Sequence, residues 1–246
     1  MTAKVFFVVS ILAILSAFTV FPLMTGAVNY VPGVKAGDWI KYGQYKVTWS
    51  GNGTPPSYIS DEQKVEWYRI DVENVSGTTV SMNVTVELNN GTQRSAQDDV
   101  DVLGNASMGG IPLLIASGLK NGDPVNNLTS SPTINQTTTG TYAGATRNVN
   151  LAESTSVSGN QTYTSRIYWD QSTGIMLEIY SKSPVYGGQG YSELSIKATE
   201  TNMWSPDLLG LLTNNLIFII IGIIVIILVI AAVLALRRRK PSVGKD

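Results

Sequence analysis

The sequence predicts a mainly β protein. We expect one extracytoplasmic antiparallel curved sheet or half-barrel of about eight to ten strands with one short helix, followed by a C-terminal transmembrane helix. Strand count alone leaves a closed barrel and a two-sheet sandwich open as alternatives. Three observations predict this class. Apolar and polar residues alternate over much of residues 28–204, turn-forming Gly, Pro, Asn and Asp separate these runs, and residues 216–236 form one uninterrupted apolar segment.

Residues 1–27 have the features of a secretory signal peptide. Lys4 precedes an apolar run over residues 5–21, and Thr25 and Ala27 supply the small residues that a cleavage site needs. The alternative is an uncleaved signal anchor, because the apolar run is somewhat longer than a typical signal-peptide core. Both interpretations place residues 28–204 outside the cytoplasm.

The first half of this region reads as a series of strands. Residues 79–88 alternate strictly between apolar and polar, which is the clearest strand pattern in the chain. Asn90 and Gly91 follow and predict a type I′ hairpin turn. The predicted strands of this half cover residues 38–49, 64–74, 79–88 and 92–102.

Residues 109–125 interrupt the strand pattern. Within them, residues 111–119 (IPLLIASGL) predict either a short helix or an apolar plug against the sheet, and a mobile lid is a further alternative. We therefore take Ile111, Leu113, Leu114 and Leu119 as candidate residues of a groove for an apolar ligand.

Strands return in the second half. Residues 163–169 and 175–181 predict a hairpin whose turn contains Gly174, a residue suited to a left-handed backbone conformation. The other predicted strands of this half cover residues 133–139, 145–157 and 191–203. All five Trp and all eleven Tyr lie between Tyr30 and Trp204, which fits either ordinary sheet packing or an aromatic binding face.

Residues 205–236 predict a juxtamembrane segment and a membrane-spanning helix. Residues 216–236 carry no charge and no proline, and at about 1.5 Å per residue they match the thickness of a bilayer core. Four basic residues follow at once: Arg237, Arg238, Arg239 and Lys240. The positive-inside rule then places residues 237–246 in the cytoplasm, so we expect a single-pass plasma-membrane protein with its β domain outside.

Charge and composition exclude several functional classes. Residues 28–207 contain eleven basic and seventeen acidic side chains, which argues against nucleic-acid binding. The chain has no Cys and no His, so disulfides, thiol nucleophiles, His-dependent triads and His-ligated zinc are excluded. We predict no catalytic residue, no cofactor and no enzymatic activity.

One dense acidic cluster lies at residues 98–101 (DDVD). Asp99 and Asp101 fall on one face of the predicted strand and are weak candidates for metal ligands, since calcium needs more oxygen ligands than this cluster supplies. The alternative is a solvated edge strand, whose charges discourage aggregation. A carboxylate-based hydrolase is a third functional hypothesis, after the two given at the end of this subsection.

The central region contains eight Asn-x-Ser/Thr motifs, which predict N-glycosylation of an exported domain. The candidate asparagines are Asn52, Asn74, Asn83, Asn90, Asn105, Asn127, Asn135 and Asn160. Asn83 is the doubtful member, because it falls in the middle of a predicted strand.

Two motifs, GDWIKY at residues 37–42 and YWDQSTG at residues 168–174, occur between the signal peptide and the RRRK cluster. In this order they resemble a class of uncharacterised archaeal cell-surface proteins. The order of elements is also similar to the LolA/LppX-like lipoprotein-carrier fold, although this chain lacks the lipid-modified cysteine of that group's lipoproteins. That resemblance implies handling of lipids or other hydrophobic ligands, but fold alone does not establish function.

Two functional hypotheses follow. The first is a membrane-anchored binding module for a lipid, another hydrophobic ligand or a partner protein. The second is a glycosylated structural protein of the envelope, with a surface-layer protein as its partner.

Overall fold

The computed structural model describes residues 28–104, 107–108, 111–129, 131–159, 161–185, 190–207, 216, 218 and 220–230. The predicted signal peptide and the basic residues 237–240 lie outside these residues, as do parts of the predicted membrane helix. Residues 220–230 are helical. No helix within the described residues combines the length and the apolar character needed to cross a membrane.

The described chain is mainly β, with thirteen strands and one short helix before residue 208. The elements are β1 (Trp39–Tyr42), β2 (Gln44–Gly51), α1 (Ser57–Glu62), β3 (Val65–Ser76), β4 (Thr79–Leu88), β5 (Gln93–Asp101), β6 (Ser107–Met108), β7 (Ile111–Pro112), β8 (Gln136–Tyr142), β9 (Ala145–Ser158), β10 (Gln161–Asp170), β11 (Met176–Pro184), β12 (Gly190–Lys197) and β13 (Glu200–Thr201).

Two antiparallel sheets contain most of these strands. Sheet A has the order β13-β1-β3-β4-β5, and sheet B has the order β2-β12-β11-β10-β9-β8. Strands β6 and β7 form a separate two-stranded ribbon. The antiparallel, mainly β prediction is therefore confirmed.

The prediction of one continuous curved sheet is wrong, because two predicted strands change sheets partway along. Residues 38–49 divide at Gly43 into β1 of sheet A and β2 of sheet B. Residues 191–203 divide near Thr199 into β12 of sheet B and β13 of sheet A. The two divisions are adjacent, since the Gly43 amide donates to Thr199 Oγ1 over 2.9 Å. Strands that bend from one sheet into another make such corners.

The core lies between the two sheets. Sheet A contributes the buried side chains of Ile70 on β3 and of Met82 and Val84 on β4. Ile70 pairs with Val84, and Met82 lies two positions from Val84, so all three share one face. Sheet B contributes Trp169 and Leu177, which are both fully buried. The Trp169 indole also donates to the Pro112 carbonyl over 2.8 Å, so this large side chain is satisfied as well as packed.

The segment after β7 is extended, so the short helix predicted at residues 111–119 is wrong. Its backbone bonds to the β10–β11 turn: Met176 N donates to Leu113 O, and Ile115 N donates to Gly174 O, each over 2.9 Å. These tertiary bonds replace the ones that a helix would make within itself. The alternative prediction, an apolar plug, matches the burial of this segment. The α-helix found within residues 28–207 is instead α1.

The β4–β5 hairpin is confirmed, but its turn type is not the predicted one. Gly91 has a φ of 80°, while Asn90 is absent from the described non-glycine residues with positive φ. A type I′ turn needs positive φ at both central residues. Gly91 N instead donates to Leu88 O over 2.8 Å, closing a turn with a left-handed glycine at its end.

Asp170 organises the β10–β11 turn, at the centre of the YWDQSTG motif. Its Oδ1 accepts from the backbone amides of Ser172 and Thr173 over 3.1 and 2.8 Å, and from both of their hydroxyl groups. Its Oδ2 accepts from Arg147 Nε over 2.7 Å. The motif therefore has a structural role in this fold.

The last residues of the β region are fixed to the β8–β9 turn. The Trp204 ring lies 4.5 Å from the Arg147 guanidinium, and its Nε1 donates to Tyr142 O over 3.2 Å. The Asp207 carboxylate accepts from Thr146 N over 2.6 Å. We name residues 203–207 the exit segment.

Candidate ligand-binding groove

An open groove lies between the two sheets where their inner faces are not filled. Its floor is the inner face of β2, β12 and β11 in sheet B. Leu194 pairs with Val47 on one side and with Ser181 on the other. Because side chains alternate along a strand, the residues two positions away share this face. The floor therefore continues from Tyr45 and its neighbours at one end to the serines of β11 and β12 at the other.

The roof comes from α1 and from the ends of β3 and β4. Ile59 is the buried residue of α1 and places that short helix against the core. Val65 and Val86 lie near the ends of their strands and are only partly buried. The sandwich thus remains open at this edge.

The groove has a volume of about 400 Å³, within the range of small-molecule sites. Its described lining consists of Tyr45, Val47, Ile59, Glu62, Val65, Tyr68, Val86, Leu113, Met176, Ser181, Ser183, Ser192, Glu193, Leu194 and Ile196. Eight of these fifteen side chains are apolar; the polar ones are the three serines and Glu193 on β11 and β12, Tyr45 with Glu62, and Tyr68 of β3.

Hydroxyl groups line one end of the floor. Ser183 and Ser192 face each other across β11 and β12, with 3.2 Å between their Oγ atoms. Ser181 occupies the next inward position of β11. The other end has apolar lining, Met176 and Leu113 included, together with the Tyr45 hydroxyl and Glu62. The groove therefore combines apolar surface with a hydroxyl-lined end.

Tyr45 and Glu62 form the polar contact between floor and roof. The Tyr45 hydroxyl donates to Glu62 Oε2. Burial, and then the hydrogen bond to Glu62, raises the pKa of Tyr45 well above its ordinary value, so the phenol keeps its proton. This pair links α1 to β2.

Basic side chains point away from the groove. Lys182 lies between two inward serines of β11 and so projects from the opposite face, where its Nζ lies 2.6 Å from Glu193 Oε1. Lys197 pairs with Glu178 over 3.6 Å on the strands' other face. No lysine or arginine is among the described residues that line the groove.

The predicted groove residues of the 111–119 segment separate in the structure. Leu113 lines the groove. Leu114 and Leu119 are buried in the core. The side chain of Ile111 lies outside the described part of the molecule.

The predicted metal candidates lie elsewhere, on β5. That strand is an edge of sheet A, as the alternative interpretation of the acidic cluster expected. Asp101 Oδ1 accepts from Leu103 N over 3.0 Å and so caps the turn that follows. Among the described residues, no group of three or more acidic side chains is arranged to hold a metal ion.

Most of the described glycosylation candidates are accessible. The exposed ones are Asn52, Asn74, Asn90, Asn127 and Asn135. Asn83 is only partly exposed in the middle of β4. Asn105 and Asn160 lie outside the described residues.

Sequence reasoning missed most of the groove, including its floor on β2, β11 and β12. One signal was present. The inward positions of β11 change from Ile179 to Ser181 and Ser183. A change from apolar to hydroxyl side chains on the inner face indicates that this part of the strand is no longer covered by the closed core.

Comparisons with protein-family models, with curated proteins and with solved structures found no match to this chain.

Proposed function

We propose that this chain is a membrane-anchored cell-surface module that binds one apolar small molecule, such as the acyl chain of a lipid, between its two sheets. The observation that carries the proposal is the open, mostly apolar groove. A monomeric β sandwich normally fills the space between its sheets with side chains, so an unfilled region of this size favours a ligand.

The residues around the groove support ligand binding without catalysis. Its acidic residues are already engaged, Glu62 by the Tyr45 hydroxyl and Glu193 by Lys182. Away from the groove, the buried acid Asp170 is engaged by Arg147 and by its own turn. These carboxylates are used for structure, and we propose a carrier or receptor instead of a hydrolase.

The cellular location is part of the proposal and rests on the sequence. The apolar segment at residues 216–236 and the basic cluster after it favour an anchor with the cytoplasm at its C-terminal side. The signal-peptide features favour export of the β region.

A second function, a glycosylated structural protein of the envelope, is favoured by the exposed motif asparagines. We expect enzymatic deglycosylation of the chain from its native host to lower its mass by whole glycans. Asn74→Gln, at an exposed site, should remove one glycan, whereas Asn83→Gln should leave the mass of the glycans unchanged. An unchanged mass after deglycosylation would contradict this second function.

The groove is tested by photo-crosslinking. The full-length protein in lipid nanodiscs is irradiated with a long-chain 1-monoacylglycerol that carries a diazirine in its acyl chain. We expect labelled peptides from β2 and β12. Leu194→Trp, which fills the groove, should lower this labelling at least about tenfold, the effect of about 1.4 kcal/mol of binding free energy.

Val157→Trp is the matched control, because Val157 is 70% exposed on β9, outside the groove. It adds the same bulk and should not change the labelling. If Leu194→Trp shows no cooperative unfolding transition, and so is not natively folded, Val47→Trp is used to fill the groove instead. Equal labelling of the groove peptides in the filled and control variants would refute the proposal.

A further inference from the structure

We infer that the groove selects amphiphiles whose polar end is an uncharged, hydroxyl-bearing group, such as glycerol or a sugar, over amphiphiles that end in a carboxylate or phosphate. This inference rests on the proposed function and specifies its ligand class. It follows from the distribution of charge and of hydrogen-bonding groups along the groove.

The charge distribution disfavours an anion. The described lining offers no cation, and Lys182 is held on the opposite face by Glu193. An anionic group in the groove would lose its hydration without gaining a charged partner. The two acidic residues of the described lining, Glu62 and Glu193, would also repel it.

The hydrogen-bonding groups favour hydroxyls. Ser183 and Ser192 can each donate one proton and accept others, as a sugar or glycerol hydroxyl also can. Trp49 lies in the same register row, opposite Ser192. Its Nε1 is buried and has no hydrogen-bond acceptor in the described structure, although Trp49 is not among the described residues that line the groove.

The test uses three unlabelled competitors with identical acyl or alkyl chains against the diazirine probe in nanodiscs. They end in glycerol, in a carboxylate and in an amine, and each is compared at equal measured concentration in the bilayer. We expect the glycerol ester to compete about tenfold better than the fatty acid, and better than the amine.

The outcomes separate the two proposals. Absence of groove labelling, or competition by none of the three, overturns the proposed function itself. Groove labelling with equal or better competition by the fatty acid leaves the proposed function standing and overturns the ligand class. Stronger competition by the amine also overturns it, because charge would then outweigh the hydroxyl contacts.

Two variants of α1 locate the source of the selectivity. Glu62→Gln should bring the fatty acid severalfold closer to the glycerol ester. Asp61→Asn removes the same charge from the neighbouring residue, which pairs with Lys64 outside the groove, and should leave the ratio unchanged. An equal shift in both variants would show that net charge governs the ratio, and would overturn the role assigned to the groove lining.

Discussion

Asp170→Ala is expected to lower the free energy of unfolding by about 3 to 5 kcal/mol, because it breaks a buried ion pair from one side. The Asp170 side chain is 1% exposed and Arg147 is 23% exposed, so the guanidinium would lose its partner in a poorly hydrated position. The turn amides of Ser172 and Thr173 would lose their acceptor as well. Urea unfolding of the full-length chain, followed by Trp fluorescence, measures the change.

Glu153→Ala is the matched control. Glu153 pairs with Arg166 over 2.7 Å, but both side chains are about half exposed. Exposed pairs contribute about 0 to 1 kcal/mol, since water already solvates each charge. If the two variants lost equal amounts of stability, the structural role assigned to Asp170 would be wrong.

The same carboxylate should make stability depend on pH. Burial alone would raise the pKa of Asp170, but hydrogen bonds from Arg147, Ser172 and Thr173 hold that pKa below its ordinary value. The unfolded chain therefore takes up this proton first as pH falls. The stabilisation is complete above about pH 4, the ordinary pKa of Asp, and is lost as pH falls through the lower folded value.

The measurement is the pH dependence of unfolding for the wild type and for Asp170→Asn. The wild type should lose stability more steeply between about pH 4 and pH 2 than the variant, which has no carboxylate to titrate there. Parallel curves would show that other acids account for the dependence.

Gly174→Ala is expected to lower the free energy of unfolding by about 2 to 5 kcal/mol or to prevent folding. The φ of Gly174 is 75°, and a left-handed backbone costs an L-residue about 1 to 2 kcal/mol. The added Cβ would also lie 1.9 Å from the Ile115 carbonyl oxygen, which is backbone and has little room to move. Overpacking adds about 1 to 3 kcal/mol.

Gly118→Ala separates the two causes. Gly118 has nearly the same φ, 73°, but nothing lies within 4 Å of the position of its Cβ. Its loss of stability should be about 1 to 2 kcal/mol, from the backbone alone. Equal losses would mean that the contact between the β10–β11 turn and the 111–119 segment is looser than the structure indicates. Urea unfolding of both variants measures the two losses of stability.

Local patterns predicted individual strands well. Residues 79–88 match β4 at both ends, because one of its faces is buried under the core and the other is solvated. Gly174 was also predicted correctly, since few other residues adopt its conformation. These features depend on neighbours in the sequence, which periodicity and turn chemistry report directly.

The division into two sheets could not be predicted in this way. The inward apolar positions shift by one residue at Gly43, from Tyr42 before it to Tyr45 after it, but only the partners β13 and β12 show that the chain has changed sheets there. The groove depends on the same distant pairing: Val47 and Leu194 are neighbours only after folding. Alternation shows which residues share a face, but it does not show what covers that face.

The attachment of the exit segment determines how far the hydroxyl-lined end of the groove lies from the point where the chain leaves the β region. Asp207 is held at Thr146, which precedes Ser154 by eight positions on β9. Ser154 pairs with Ser165 of β10, and Ser165 pairs with Ser181 of β11, which lines the groove. At about 3.3 Å per residue, the hydroxyl-lined end of the groove is therefore roughly 26 Å along the sheet from the point where the chain leaves it. A polar headgroup bound by the serines would therefore lie more than half the length of β9 away from the exit segment.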